Sequence, residues 1–195
     1  HHEFWCKILN NSFAPNEKIA EQLGCQSLDL VIYVVGFPLE QNYFSRILSG
    51  NRVVVSLVDV QDYLQKDDLP LHNFIISLVY AYSLLYYARK GQELSMGDLG
   101  RFAHNLDCKC LFDMRGGYGE FNSLCIKPSL CNRCKARLMD SQVSKDIVTC
   151  AEKEMRKLNI PLYERLVKYV KQHLILSIVW AVLSALSLNL LSDIV

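Results

Sequence analysis

Five of the eight cysteines fall between Cys108 and Cys134, and this crowding constrains the chain more than any other feature. The five are Cys108, Cys110, Cys125, Cys131 and Cys134, while Cys6, Cys25 and Cys150 stand singly. A Cys-x2-Cys turn, here Cys131-Asn-Arg-Cys134, presents two sulfurs from one tight loop. Zinc takes four such soft or borderline donors in a tetrahedron. Four donors from a single loop would strain it, so a second pair must come from elsewhere, and Cys110 with either Cys108 or His104 meets that need. If a strand starts near Cys110, Cys108 and Cys110 point to one face, so both pairings stay open. Two other uses compete with the metal: small buried apolar residues, and disulfide exchange at a Cys-x-x-Cys that opens a helix. Donors at a second upstream site favour the metal.

These cysteines do not read as a secreted disulfide framework. The chain has 195 residues, 51% apolar and 21% charged, which is ordinary globular composition. No apolar signal core opens the sequence, so a reducing compartment is expected, and His1 and His2 read as a tag remnant. A net charge of +1 implies no long-range attraction to nucleic acid, although Arg133, Lys135 and Arg137 make a small basic patch beside the cysteine pair.

Residues 5–25 read as a short helix with Ala20 and Leu23 facing inward and Gly24 at its end. Residues 28–37 (LDLVIYVVGF) and 52–60 (RVVVSLVDV) are short, β-branched and apolar, as strands buried on both faces are. Between them residues 39–48 have helical spacing after Pro38, which gives a βαβ-like unit. Residues 73–89 are apolar nearly all round and read as a central core helix, with Phe74, Tyr80, Tyr82, Tyr86 and Tyr87 in packing roles. Residues 110–114 (CLFDM) offer an edge strand, and Gly116, Gly117 and Gly119 a tight turn that lacks the Lys-Ser/Thr of a phosphate-binding loop. Residues 144–158 form an amphipathic helix, and Pro161 suits the first turn of a long final one. The expected fold class is α/β (α+β): a small, mostly buried sheet packed on helices, a zinc-stapled cysteine tail, and a long C-terminal helix.

Residues 174–192 carry no charge over 19 positions, just enough for a helix to cross a hydrocarbon core. Arg165, Lys168 and Lys171 precede the run and Asp193 follows, which puts the basic flank on the cytoplasmic side. Ser184, Ala185 and Ser187 would equally serve close helix packing in an oligomer. The upstream stretch 163–173 has a basic and an apolar face suited to a membrane surface. The expected division is a folded domain over 3–140, an amphipathic helical linker over 141–172, and a transmembrane or oligomerisation helix over 173–195. The end at Val195 is compatible with a longer chain.

The segment from His104 through Cys110-Leu-Phe-Asp-Met114 and Lys127-Pro128 to Cys131-Asn-Arg-Cys134-Lys-Ala-Arg-Leu138 resembles the cysteine-rich tail of archaemetzincin-like metallopeptidases. It is still more similar to uncharacterised bacterial proteins that keep this tail without the protease helix. The order of the two apolar runs and the helix from Asn73 is similar as well. The resemblance spans roughly residues 28–138 and implies a structural Zn2+ held by His104, Cys110, Cys131 and Cys134, with Cys108 as the alternate ligand.

Zincin catalysis needs His-Glu-x-x-His on a helix, two imidazoles one turn apart on the metal and a glutamate as base. That motif is missing from the sequence, and the corresponding helix offers only the lone His72 before it. No catalytic residue is therefore assigned. The resemblance and the apolar run together predict a non-catalytic zinc-binding module for interaction or signalling. It would be tethered to the cytoplasmic side of the inner membrane of a bacterium, with a protein partner or as a homo-oligomer. A pore-forming membrane effector with a sensor domain is the first alternative, and a metallopeptidase the second.

Overall fold

The computed structural model describes residues 13, 15–24, 28–40, 43–105, 110–113, 121, 124–159, 166, 167, 169, 170, 173 and 178. They fall into two compact units, 1–159 and 160–195. In the first, the described elements run α1 (Asn16–Leu23), β1 (Val31–Val35), β2 (Ser45–Leu48), β3 (Arg52–Ser56), α2 (Val60–Lys66), α3 (Leu71–Ala88), α4 (Met96–Phe102), α5 (Asn132–Asp140) and α6 (Lys145–Met155). This is a mixed α+β fold around a small sheet.

The three strands lie in the order β1-β3-β2, with β1 parallel and β2 antiparallel to β3. The predicted helix over 39–48 is corrected here, because its second half is β2. Leu48 pairs with Arg52, and Gly50 and Asn51 between them both take positive φ, +68° and +54°. A glycine followed by asparagine accepts that left-handed turn at low cost, so the hairpin prevails over the helical spacing of Leu39, Tyr43 and Ile47. The second run is also shorter than predicted, since β3 stops at Ser56 and Val60 already opens α2.

Burial divides the strands unequally. Every residue of β3 is buried, as expected for a strand covered on both faces, but β1 is an edge strand and leaves Val34 46% exposed. Leu39, Leu48 and Val54 form a small core on one side of the sheet, with Phe13, Tyr33 and Val35 against it. α1 follows Pro15 and ends at Gly24 with φ +67°, while residues 5–12 and 14 of the predicted helix lie outside the described residues; Ala20 is buried as predicted, but Leu23 in the last turn is 65% exposed.

α3 supplies the other face of the core. Phe74, Leu78, Ala81, Tyr82, Leu84 and Leu85 are buried, while Ile76, Val79 and Tyr87 stay exposed, so burial covers one side of the helix and not its whole circumference. His72, expected before the helix, lies exposed within its first turn, because α3 already opens at Leu71. The Tyr82 hydroxyl donates to Ser45 Oγ at 2.7 Å and ties α3 to β2. Burial pushes the Tyr82 phenol up to about 12. An unfolded tyrosine ionises near its ordinary value of 10, so the stability held by neutral Tyr82 is lost as pH rises from about 10 to about 12. The predicted outcome for Tyr82→Phe is a loss of about 1 kcal/mol at pH 7, from the missing hydrogen bond, with the order of stability reversed above about pH 11. Urea midpoints for both proteins at pH 7 and 11.5 test this, and parallel curves without a crossing would count against it.

α4 opens on a reciprocal cap: Ser95 Oγ accepts from the Asp98 backbone N–H and the Asp98 carboxylate accepts from the Ser95 N–H at 2.9 Å. α6, capped by Ser144, buries Val148, Ala151 and Met155 and packs on α3 and α5. Asn73 Nδ2 donates to the Cys125 carbonyl at 2.8 Å and to Asn159 O at 3.3 Å, holding the chain after α6 to the start of α3.

In the second unit Leu166, Val167, Tyr169 and Val170 are helical, and the Tyr169 and His173 rings lie 4.8 Å apart. Among the described residues no helix is long and apolar enough to cross a membrane. Apart from Ile178, the run 174–192 lies outside the described residues, as do Pro161 and the glycines 116, 117 and 119.

Candidate metal centre

Three separate segments bring four donor side chains together. His104 follows the end of α4, where Ala103 turns extended after the last helical residue. Cys110 begins a tight turn closed by the Asp113 N–H donating to the Cys110 carbonyl at 3.0 Å. The predicted edge strand at 110–114 is corrected to this turn, which touches its neighbours through two isolated bridges, His104 with Asp113 and Cys110 with Ser129. Repeated ladder pairing is excluded because the chain reverses at Leu111 and Phe112. Cys131 is the N-cap of α5, its sulfur accepting from the Cys134 N–H at 3.4 Å, and Cys134 lies in the first turn of the helix.

One donor atom from each of His104, Cys110, Cys131 and Cys134 lies within 4.8 Å of all the others. Sulfur about 2.3 Å from a tetrahedral zinc gives sulfur–sulfur edges of about 3.8 Å. His104 Nε2 stands 3.4 Å from Cys131 Sγ, in keeping with such an edge. His104, Cys110 and Cys134 are buried, and Cys131 is half-buried. The four side chains are therefore positioned to hold a metal ion, and three thiols with one imidazole are a donor set compatible with zinc. Cys108, the alternate ligand, lies outside the described residues.

The electrostatics of the sulfurs fit a cation between them. A hydrogen bond from the Cys134 side chain, and backbone N–H groups of Cys131 and Phe112, hold the Cys110 thiol down at about 5 against the opposing effect of burial. Cys134 is pushed strongly up, first by that same bond to Cys110, then by burial and the neighbouring sulfur charges. One thiolate is favoured and a second is opposed by the first, which is the conflict a divalent ion removes.

Similarity searches add nothing to this geometry. No family model matches the chain, and neither does any curated protein or solved structure.

The other cysteines separate cleanly from the cluster. Burial alone pushes the Cys125 thiol up to about 12, and its backbone carbonyl serves Asn73, so it packs as a small apolar residue. Cys150 is exposed on α6. Sequence reasoning assigned no role to Asp113, although it closes the Cys-Leu-Phe-Asp stretch. Its Oδ1 lies 3.7 Å from His104 Nδ1, both side chains being 2% exposed, and Nδ1 itself is buried without a hydrogen-bond partner. A carboxylate beside the ring nitrogen that faces away from a metal is the usual way to orient a histidine ligand. Phe102 and Phe112, with ring centroids 5.1 Å apart, pack beside this pair.

Proposed function

We propose that His104, Cys110, Cys131 and Cys134 hold a structural Zn2+, and that the protein is a non-catalytic, zincin-like module for interaction or signalling, tethered to the cytoplasmic face of a membrane. The observation that carries the zinc reading is the convergence of four protein donors from three segments within 4.8 Å. Four protein ligands close a tetrahedral site and leave no position for water or substrate, which is the structural and not the catalytic pattern. A bound ion would supply folding energy to the loops that provide its ligands.

The zincin-like affiliation rests on the turn at Cys110-Leu-Phe-Asp113 leading to a Cys-x-x-Cys that caps a helix. The missing His-Glu-x-x-His argues for binding without peptide cleavage. The tether rests on the uncharged run 174–192 with its basic upstream flank. Metal analysis of the full chain is expected to return one zinc per protein. Fractionation is expected to place the chain with membranes and to release it when 174–195 is deleted. A metal-free preparation with unchanged folding would overturn the zinc reading, and a full-length chain recovered without detergent would overturn the tether.

Asp113→Asn should keep the ligands but lose the carboxylate beside Nδ1. Zinc affinity is predicted to fall by about 10- to 100-fold, read by competition with a chromogenic chelator. An affinity equal to that of the parent protein would remove Asp113 from the site.

A further inference from the structure

The end of α4 and one face of α5 border an open cleft of about 520 Å³, lined by Arg101, Phe102, Arg133, Arg137, Asp140 and Ser141 among others. Its charge is out of proportion to the molecule. The whole chain carries 21 basic and 20 acidic residues, yet three guanidinium groups meet a single carboxylate here. Arg133 and Arg137 are one helical turn apart, so their side chains leave the same side of α5. The intervening Lys135 belongs to another side, where it pairs with Glu152 of α6 at 2.8 Å. Arg137 Nη1 also donates to the Arg101 carbonyl, which links the two helices and anchors one guanidinium at the cleft wall.

Guanidinium forks match the oxygens of a phosphate in pairs, and three of them suit a doubly charged group better than a carboxylate. The volume lies in the usual range for small-ligand sites and is larger than a bare phosphate needs. Asp140 accepts hydrogen bonds and Ser141 can give or accept them, as sugar hydroxyls require. Phe102, the aromatic residue of the lining, is buried in the core and offers no open face for a base. We propose that this cleft binds a small phosphomonoester of sugar size, with Arg101, Arg133 and Arg137 on the phosphate and Asp140 on the hydroxyls. The proposal is independent of the membrane tether, and the cleft adjoins the metal centre, its lining reaching Ala103 before His104 and Arg133 between Cys131 and Cys134.

Calorimetric titration of the full chain in mild detergent tests it with four probes: inorganic phosphate, ribose 5-phosphate, ribose, and a nucleoside 5′-monophosphate. Ribose 5-phosphate is expected to bind about tenfold more tightly than inorganic phosphate, ribose to give no measurable heat, and the nucleotide to gain nothing over ribose 5-phosphate. The double variant R133Q/R137Q is expected to lose tenfold or more in affinity, since each lost charge-assisted hydrogen bond is worth about that factor. Lys145→Gln, on the exposed start of α6, is expected to bind like the parent. Zinc content is measured for each protein, and if the double variant has lost its metal, Arg101→Gln on α4 decides with the same tenfold expectation. Absence of binding by every phosphate-bearing probe, equal binding of ribose and ribose 5-phosphate, or parental affinity in the zinc-replete arginine variants overturns the proposal.

Discussion

Stripping the metal with a strong chelator is expected to unfold residues 104–138 and to lower the melting midpoint of the chain by tens of degrees. Structural zinc sites in small domains are worth about 10–16 kcal/mol, as much as the whole net stability of an ordinary domain. Outside α5, the described backbone pairing between 104 and 138 consists mainly of the two isolated bridges, the His104 N–H donating to Phe112 O at 3.2 Å, the Leu111 N–H donating to Ser129 O at 2.7 Å and the Lys127 N–H donating to Leu158 O at 2.7 Å. Without an ion the three sulfurs are left within 4.8 Å of one another, where ionising one opposes ionising the next. Amide exchange at His104, Leu111 and Cys131 is therefore expected to speed up on chelation, with the strands β1 and β3 protected longer. Cys134→Ser, at a buried ligand in the first turn of α5, should reproduce the effect without chelator. Metal affinity should also fall as pH falls, because the ligands must be deprotonated to bind. Melting and exchange insensitive to chelator, in a chain shown to contain zinc, would mean that the ion contributes nothing to this fold.

Much of this site was legible in the sequence because its chemistry is local. Cys131-x2-Cys134 fixes two donors on one turn whatever the rest of the chain does. Choosing His104 over Cys108 could not be done by spacing, since both lie a few residues before Cys110, and it came from the resemblance alone. Among the described residues His104 does bring its ring to the cluster. Only the α5 half of the arginine cleft was legible, as the basic patch of Arg133, Lys135 and Arg137; Arg101 lies 32 positions before Arg133 and joins it only when α4 and α5 meet, and Lys135 turns away to Glu152. The helix α3 was readable from its nearly continuous apolar run and α6 from its amphipathic pattern. The failures were tertiary. Residues 39–48 fit two periods, and the Gly50-Asn51 turn settled the choice. Nothing in the composition of 28–37 says that β1 lies at an edge and leaves Val34 in water.

Phe74→Ala is expected to be the most damaging substitution away from the metal, with a cost of about 3–5 kcal/mol. The side chain is fully buried in the first turns of α3. Its ring meets Phe44 at 5.9 Å and Phe121 at 5.6 Å, and Phe121 in turn stacks on Tyr63 of α2 at 5.7 Å. Truncation would open a cavity where α3, α2 and the segment before β2 converge, and rings fixed from several sides cannot close over it. Asn73, the preceding residue, anchors the Cys125 carbonyl, so a shift of this turn is transmitted to the chain leading to Cys131. For a unit of this size the cost corresponds to a fall in melting midpoint of about 10 °C. Phe74→Leu keeps most of the apolar volume and should lose about a third as much. Zinc content is the discriminating readout, because the ring partners of Phe74 are Phe44 and Phe121 and neither is one of the four donors: the alanine variant should melt early yet still carry its ion at low temperature. A loss below about 1 kcal/mol would show that the four rings do not form one packed unit, and loss of zinc from the folded variant would show that α3 and the metal centre act as a single cooperative element.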